Sequence, residues 1–253
     1  MIADAQSRGE PLALSVIVPT LNEERCIRRL LSDIALLQVP REVIVADGGS
    51  SDSTVLIASD CGARVLTSSR GRGAQLAAGA RAASAPTLCF LHADVRLHAD
   101  ARAELVDTVQ RAPVSPSAAY VFRFRIDGMD WRYRLIEGGA RLRMHLLKLP
   151  YGDQGLIVSR KDYDAAGGYQ DVPLMEDVAL IDALRRVTRL KSLRASLPVS
   201  ARRWERDGPL TRMVRNAATI VAYRLGASPQ RLAKYYPVVG DSPIRDSTSA
   251  SHG

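Results

Sequence analysis

The sequence predicts an α/β fold, in which a mostly parallel sheet carries helices on both faces. Short apolar runs alternate with segments of helical periodicity through the first half of the chain, which is the pattern of consecutive strand–helix units. Two of these runs lead into acids, Asp47 and Asp94. Because ligands of open α/β sheets bind beyond the carboxyl ends of the strands, both acids are expected to face one crevice.

Four strands are predicted in the first half, each followed by a helix. The strands are expected at 14–19, 43–47, 64–66 and 87–91, and the later helices at 51–61, from residue 71, and at 100–111. Asn22 is the expected cap of the first helix, which Pro40 ends, and Gly62 is expected to end the second. The apolar side chains expected to turn the first helix towards the sheet are Ile27, Leu30, Leu31, Ile34 and Leu37.

The second half of the chain predicts a more mixed arrangement. Residues 119–126 alternate apolar and charged side chains, as a half-exposed strand does, and 155–158 predict a short strand. Helices are expected at 131–149, 176–187 and 209–225. Ser159 and Asp162 have the spacing of a capping box for one further turn of helix.

Composition narrows the class of partner. The formal net charge is +8 and the sequence pI about 9.7, which favours an anionic partner such as a sugar nucleotide, a nucleic acid or an acidic membrane surface. The excess charge is taken to be spread along the chain. No groove-reading motif is present and aromatic residues make up only 5% of the chain, so nucleic acid is not expected.

Location is predicted from cysteines and hydropathy. The three cysteines, Cys26, Cys61 and Cys89, are odd in number and lack metal-ligand spacing, as expected for free thiols in a reducing cytoplasm. The first dozen residues include charges and do not resemble a secretory signal, and no long uncharged apolar window predicts a spanning helix. A cytoplasmic protein is therefore expected, and nothing in the sequence indicates its oligomeric state.

Four acidic motifs follow one another along the chain: PTLNEE at 19–24, DGGSSD at 47–52, HAD at 92–94 and MED at 175–177. Their order and spacing resemble the inverting family-two glycosyltransferases of the GT-A fold, over about residues 13 to 235. GDQ at 152–154, together with MED, is similar to a small bacterial subgroup of that family. The resemblance implies a Rossmann-like sheet and a nucleoside diphosphate sugar as donor, with uridine diphosphate as the first choice. The acceptor, a hydroxyl, is not identified.

The resemblance also divides the chain. It implies one domain over 13–240, with a nucleotide-binding half at 13–112 and an acceptor-binding half at 113–240. Residues 1–12 are expected to form a flexible arm. Residues 241–253, rich in Ser, Asp, Thr and Gly, are expected to be a disordered tail.

Nucleotide-binding roles are implied for Pro19, Thr20, Glu23, Asp47, Arg72 and His92. The Asp47 carboxylate would accept hydrogen bonds from the base, which Pro19 and the Thr20 hydroxyl would also face, and Glu23 would anchor the loop or reach the ribose. Asp47 could instead simply cap a helix, a role more expected of Asp52. Arg72 lies between two glycines at a helix start that favours anions, and would meet the base or a phosphate unless it is merely solvated.

A divalent metal is implied at Asp94. This residue matches the second acid of the family's Asp-x-Asp motif, and Mg²⁺ or Mn²⁺ suits oxygen ligands and a diphosphate. His92 replaces the first acid of the motif and removes one negative charge. An imidazole can instead contact the ribose, so strict dependence on the metal stays open.

Catalytic roles are implied for the MED motif. The resemblance makes Asp177 the base that takes the acceptor proton, with Glu176 orienting the acceptor. The two acids would also suit the first turn of any helix. Asp153 or Gln154 is expected near the sugar or the acceptor. Arg202, Arg203 and Trp204 are expected to close over the diphosphate and the donor sugar, unless they are surface charges beside a partly buried tryptophan.

Two other functions stay open. A nucleotidyltransferase that makes sugar nucleotides would also use a nucleotide crevice and acids, although it usually has a Gly-rich basic loop after the first strand. A non-catalytic sensor of sugar nucleotides would tolerate His92. Separately, 131–149 and 209–225 mix apolar stripes with arginines, as do helices on the inner surface of a membrane and ordinary helices packed on a sheet.

Overall fold

The computed structural model describes residues 11–112, 117–147, 154–201, 204–205 and 208–235. The predicted tail and nearly all of the predicted arm lie outside these ranges, as do Asp153, Arg202 and Arg203. No helix in the described ranges is both long enough and apolar enough to cross a membrane.

The chain alternates strands and helices as the sequence predicts. The strands are β1 (Leu14–Thr20), β2 (Arg41–Asp47), β3 (Arg64–Thr67), β4 (Thr87–Phe90), β5 (Ala118–Asp127), β6 (Leu156–Ser159) and β7 (Arg189–Ser200). The helices are α1 (Glu24–Ala35), α2 (Thr54–Asp60), α3 (Arg72–Ala82), α4 (Ala99–Arg111), α5 (Trp131–Leu147), α6 (Arg160–Ala165), α7 (Glu176–Val187), α8 (Pro209–Arg224) and α9 (Pro229–Tyr235).

Seven strands form one sheet in the order β3-β2-β1-β4-β6-β5-β7. The pairs β1–β2, β1–β4, β2–β3 and β5–β7 are parallel, whereas β6 is antiparallel to both of its neighbours. All strands except β6 therefore end at the same edge of the sheet, called the carboxyl edge below. The prediction of a mostly parallel sheet is confirmed.

Helices cover both faces of the sheet, and alternate side chains of β1 show this directly. Leu14, Val16 and Val18 pack into one buried cluster, whereas Ile17 packs into the other. The predicted apolar stripe of α1 lies in the first cluster and is 0–3% exposed. The same cluster includes residues of α4 and α5, and the second includes residues of α3 and α7.

Two local predictions differ from the structure, and a third is confirmed. Asn22 does not cap α1, because its φ of 55° is left-handed and its carboxamide oxygen instead accepts the Ser51 N–H at 2.8 Å. The last strand, β7, is not among the strands predicted from the sequence, yet it pairs with β5 along most of its length. The capping prediction for α6 is confirmed for Ser159, whose hydroxyl accepts the Asp162 N–H at 3.0 Å.

Candidate active site

The predicted motifs meet at the carboxyl edge because of the strand order. β2 and β4 lie on opposite sides of β1. The connection after β1 therefore leads to one side of it and the later connection into β4 leads to the other. A ligand crevice forms where the strand order reverses in this way. Thr20 and Asp47 are the last residues of β1 and β2, and His92 follows β4. Gln154 precedes the antiparallel β6 and so lies at the same edge.

Asp47 organises the loop that follows β2. One carboxylate oxygen accepts hydrogen bonds from the Thr20 hydroxyl at 3.0 Å and the Ser50 hydroxyl at 2.5 Å. The other accepts the N–H groups of Gly49 at 2.9 Å and Ser50 at 2.8 Å. Asp47 is 3% exposed, and these four bonds match the acceptor capacity of a carboxylate.

This geometry changes the expected role of Thr20. The residue is 1% exposed, and its hydroxyl donates to Asp47 rather than facing the crevice. Thr20 therefore fixes the position of Asp47. Pro19, next to it, is half-buried.

Gln75 joins α3 to the same strand ends, a role that the sequence did not suggest. It is 5% exposed, and its side-chain amide donates to the carbonyl oxygens of Thr20 at 2.6 Å and Ala46 at 2.9 Å. The sequence feature that could have indicated this role is a glutamine among the small residues of α3. Because both strand ends are bonded to one side chain, α3 is fixed relative to the crevice.

Glu23 and Asp52 connect the helices that leave the crevice. Asp52 accepts the Thr54 N–H at 3.0 Å and the Glu24 N–H at 3.2 Å, so it caps the starts of α2 and α1. Burial alone would raise the pKa of Asp52, but these bonds and that of the Thr54 hydroxyl lower it. The half-buried Glu23 donates its N–H to the Thr54 hydroxyl at 2.8 Å. The structural role expected of Asp52 is confirmed.

Arg72, Glu176 and Asp177 form an ionic cluster between the starts of α3 and α7. The Arg72 Nε donates to Glu176 Oε1, and its Nη2 lies 3.8 Å from Asp177 Oδ2. The side chain of Arg72 is 37% exposed, that of Asp177 13% and that of Glu176 only 2%. Glu176 is therefore turned inward, and its position contradicts the expectation that it orients an acceptor.

The cluster shifts the pKa values of its members. Burial raises the pKa of Glu176 above its ordinary value, and the nearby Asp177 charge adds to this, although Arg72 opposes it. Burial alone would lower the pKa of Arg72, but the charges of Glu176 and Asp177 raise it. Burial, and then the charges of both acids, raises the pKa of Tyr169 well above its ordinary value. Arg72 thus stays charged and Tyr169 neutral.

Gly73 allows the start of α3, which carries Arg72, to lie close to the segment that leads to Glu176 and Asp177 of α7. A Cβ at this position would lie 2.2 Å from the carbonyl oxygen of Gln170 and 3.2 Å from Glu176 Cβ, and the first distance is too short for any real contact. The backbone before α7 therefore lies directly against the first turn of α3. Met175, which precedes α7, has a left-handed φ of 67°, a conformation that is uncommon outside glycine and is often found at functional sites.

His92 and Asp94 lie in the loop after β4, and both are half-buried. The Asp94 carbonyl accepts the Ser200 N–H at 3.2 Å, and Val95 bridges to Val199, so the end of β7 holds this loop. Among the described residues, no group of three or more His, Cys, Asp or Glu side chains could hold a metal ion by itself. One carboxylate with one imidazole fits a Mg²⁺ or Mn²⁺ ion that takes its other ligands from phosphate and water.

Two further predicted residues are buried. Gln154 is 2% exposed and donates its side-chain amide to the Phe122 carbonyl at 3.0 Å. Trp204 is 7% exposed and packs against Phe124, with ring centroids 6.1 Å apart, and the Arg212 guanidinium lies over the Trp204 ring, 5.3 Å from its centroid. The expectation that Trp204 closes over a ligand is wrong for this structure, because the indole buries its apolar surface in the core.

Sequence comparisons give matches of different extent. A family model described as Glycosyl transferase family 2 matches residues 15–168. Among curated proteins, 4,4'-diaponeurosporenoate glycosyltransferase of Staphylococcus aureus (strain MRSA252) is 46% identical over 54 residues. That match covers 21% of this chain and only 14% of the relative, so the chain spans a small part of the relative's length.

Structure comparisons identify the fold. Glucosyl-3-phosphoglycerate synthase from Mycobacterium tuberculosis, solved with Mn²⁺, uridine diphosphate and glucosyl-3-phosphoglycerate, has a TM-score of 0.57 and 22% identity, over 90% of this chain and 85% of that one. S. aureus TarS 1–349, solved with UDP-GlcNAc, has a TM-score of 0.57 and 17% identity, over 74% and 58%. At these identities the likeness concerns the fold, and it is the GT-A fold.

Proposed function

The chain belongs to glycosyl transferase family 2, and on this premise we propose that it transfers a sugar from a nucleoside diphosphate sugar to an acceptor hydroxyl with inversion. Uridine diphosphate is the proposed handle of the donor, since the two solved structures described above hold uridine diphosphate or UDP-GlcNAc. The narrower bacterial subgroup with the HAD, GDQ and MED motifs is part of the same proposal. So is a single domain over 13–240.

One observation carries the proposal: an acid with partial access to solvent lies beside an arginine at the carboxyl edge. Asp177 is within ion-pair distance of Arg72, while the adjacent Glu176 is buried and bonded to the same guanidinium. A base needs an exposed oxygen, and a leaving diphosphate needs a nearby cation. Asp177 and Arg72 supply these two groups side by side.

In the proposed reaction, Asp177 takes the proton of the acceptor hydroxyl. The acceptor oxygen then attacks the anomeric carbon on the face opposite the diphosphate, the bond to the diphosphate oxygen breaks, and the configuration inverts. Arg72 has five N–H donors, of which the Nε is bonded to Glu176, so others are directed elsewhere and can meet phosphate oxygens. Glu176 acts as a positioning residue that holds Arg72.

Asp94 and His92 would hold a divalent metal together with the donor. When bound, such an ion would stabilise the negative charge of the diphosphate. The bond from Ser200 to the Asp94 backbone keeps this loop in place. The proposal assigns no closing role to Trp204, and the roles of Asp153, Arg202 and Arg203 near the sugar or phosphates stay predictions.

Asp47 is proposed to act on the nucleotide through its loop. Its four internal hydrogen bonds and low exposure favour a role in shaping the edge that meets the base. Pro19, the Gly48–Gly49 backbone and Glu23 then form the surface available to the nucleotide, and His92 is proposed to meet the ribose. Direct contact between Asp47 and the base stays a prediction.

The decisive experiment is incubation of the protein with a panel of sugar nucleotides and, separately, with a nucleoside triphosphate and a sugar phosphate, each with and without Mn²⁺. Slow release of free nucleoside diphosphate would support glycosyl transfer. Release of pyrophosphate from a nucleoside triphosphate would instead support a nucleotidyltransferase, and binding without turnover would support a sensor.

An Asp177→Asn variant tests the base. Donor affinity is expected to stay within a few-fold of the wild type, and turnover to fall by about 10²–10⁴-fold, the range found for removal of a general base. Asp164→Asn, at an exposed acid of α6, is the matched control and should leave both quantities unchanged. Normal turnover by Asp177→Asn would remove Asp177 from the mechanism.

A further inference from the structure

The positive charge of the chain is concentrated in three helices on one part of the fold. The segments 131–147 and 209–235, which contain α5, α8 and α9, hold nine Arg and Lys residues and one acid, Glu137. Their net charge of +8 equals that of the whole chain, so the rest of the chain is formally neutral. The even spread expected from the sequence is therefore wrong. These three helices are called the basic helical face below.

The single acid of the basic helical face points inward. Glu137 is 7% exposed, accepts the Ile126 N–H at 2.9 Å and forms an ion pair with Arg134 at 2.8 Å. Two other arginines of the face pair with acids beside it: Arg132 with Asp130, at 2.6 Å, and Arg224 with Asp182 of α7, at 2.7 Å. Arg141, Arg231 and Lys234 are exposed and form no ion pair with any residue in the described ranges.

The same face exposes most of the large apolar side chains on the surface. Of the thirteen that are exposed in the described ranges, nine lie on the face or directly beside it: Met129, Trp131, Leu135, Leu142, Met213, Val214, Val221, Leu225 and Tyr235. On α5, Trp131, Leu135 and Leu142 share one side of the helix by their spacing, and they are 59–69% exposed. The opposite side of α5 is already buried, so this second stripe is not needed by the core.

These two properties together identify the class of partner. Nucleic acid would use the arginines but would gain nothing from exposed leucine and valine side chains. An anionic bilayer uses both, because cations bind the headgroups while aliphatic and indole groups enter the region just below them. A tryptophan at the start of the exposed stripe of α5 suits that boundary.

The basic helical face lies near the end of the sheet formed by β5 and β7. α5 packs against β5, α8 packs against α5, and α9 packs against α8. An open cleft of about 450 Å³, lined by Met129, Tyr133 and Gly208 among others, lies where α5 begins. Because β5 ends at Asp127 on the carboxyl edge, the cleft lies between that edge and the basic helical face.

We propose that the basic helical face docks the protein on anionic membrane surfaces, with its exposed apolar stripes inserted at the headgroup boundary. The proposal is independent of sugar transfer. Its test measures binding only, so its failure and that of the proposed activity are distinguishable.

The test is flotation of the full chain with vesicles of phosphatidylcholine, with or without phosphatidylglycerol. The protein is expected to float with the anionic vesicles, and less so as salt is raised, because exposed charges are screened. Leu135→Ser and Leu142→Ser combined should weaken binding by about tenfold or more, given the free energy of burying methylene groups. Arg141→Glu with Lys234→Glu should abolish the preference for phosphatidylglycerol.

Matched controls lie at the other end of the sheet. Leu56 of α2 is 64% exposed, close to the 60% of Leu135, and its helix packs against β3, so Leu56→Ser should bind as the wild type does. Arg29→Glu, on α1, is the corresponding charge control. Equal weakening by Leu56→Ser and Leu135→Ser would overturn the proposal, as would wild-type protein left at the bottom of the gradient.

Tryptophan fluorescence provides a second readout. The chain has two tryptophans, and Trp131 is 69% exposed whereas Trp204 is 7% exposed. Anionic vesicles should shift the emission to the blue and protect it from acrylamide, and Trp131→Ser should remove both effects. A dimer in light scattering that Leu135→Ser dissociates would show that a second copy covers the face, and would also overturn the proposal.

Discussion

Replacing Gly73 by alanine is expected to separate Arg72 from its two acids without removing any of the three. A Cβ at this position would lie 2.2 Å from the Gln170 carbonyl oxygen, and ordinary contacts begin near 3.4 Å. The backbone that leads into α7 must therefore move away from α3. Because that backbone carries Glu176 and Asp177, the movement is transmitted directly to the proposed base.

The size of the effect follows from these distances. Relief of the clash requires a displacement of about 1 Å, and forcing a methyl group into a packed site costs about 1–3 kcal/mol of folding stability. A misplacement of about 1 Å in a catalytic arrangement can cost about 100-fold in rate, equivalent to about 2.7 kcal/mol in the barrier. We therefore expect Gly73→Ala to lose both stability and turnover.

Two further glycine variants separate these losses. A Cβ at Gly79 would lie 2.3 Å from Ile17 Cγ2, so Gly79→Ala overpacks the core of α3 without touching the acids. It should lose about as much stability as Gly73→Ala, about 1–3 kcal/mol, but keep its turnover per folded molecule. At Gly138 of α5 a Cβ meets nothing within 4 Å, and alanine there should stabilise by up to about 1 kcal/mol.

The measurements are urea unfolding and the rate of nucleoside diphosphate release at saturating donor. Wild-type turnover in a destabilised Gly73→Ala variant would refute the expected link, because the contact between α3 and α7 would then not control the geometry of the proposed base. An equal loss of turnover in Gly79→Ala would refute it as well.

Three further predictions concern the crevice and its supports. Asp47→Ala should weaken binding of uridine diphosphate in calorimetry by about tenfold, since the loop N–H groups it holds lose their acceptor; unchanged affinity would contradict this. For Glu176, whose folded pKa is raised by burial, the native state holds more protons than the unfolded state above the ordinary pKa. Its contribution to stability should therefore fall as pH rises through the window between the two pKa values, and Glu176→Gln should flatten that slope in unfolding curves recorded from the ordinary pKa of 4.5 upwards. Ser159→Ala should cost about 1 kcal/mol by loss of the α6 cap and leave turnover unchanged, and altered turnover would show that α6 supports the site.

The sequence predicts most strands and helices because their signals are local. α7 begins at Glu176 and ends at Val187 as expected, since acids at its start and an apolar stripe along its length lie within one segment. β1 and β2 are recognisable as apolar runs that end at polar residues. The strand β7 is harder to predict, because its first part alternates exposed and buried residues irregularly and it contains Pro198.

The contacts that build the site cannot be predicted in the same way, because they join distant segments. Arg72 and Glu176 are 104 residues apart in the sequence. Gln75 donates to the carbonyl oxygens of Ala46 and Thr20, which lie 29 and 55 residues before it. The need for glycine at position 73 depends on where the Gln170 carbonyl lies. Trp204 shows the opposite difficulty, since charged residues, Arg203 and Glu205, flank it in the sequence, while in the fold it packs against Phe124 and lies in the buried core.

The burial of Glu176 indicates what the ionic cluster is for. Its raised pKa shows that the fold solvates the ionised carboxylate less well than water does, even with Arg72 bonded to it. Replacing a whole buried ion pair by apolar residues of similar size is often neutral or stabilising, so stability alone does not explain the pair of Glu176 and Arg72. What the acid provides is a fixed position for Arg72, which would otherwise be free to pair fully with Asp177. Such pairing would occupy the oxygen that the proposed base needs, so a buried second acid would keep the cation close to Asp177 without neutralising it completely.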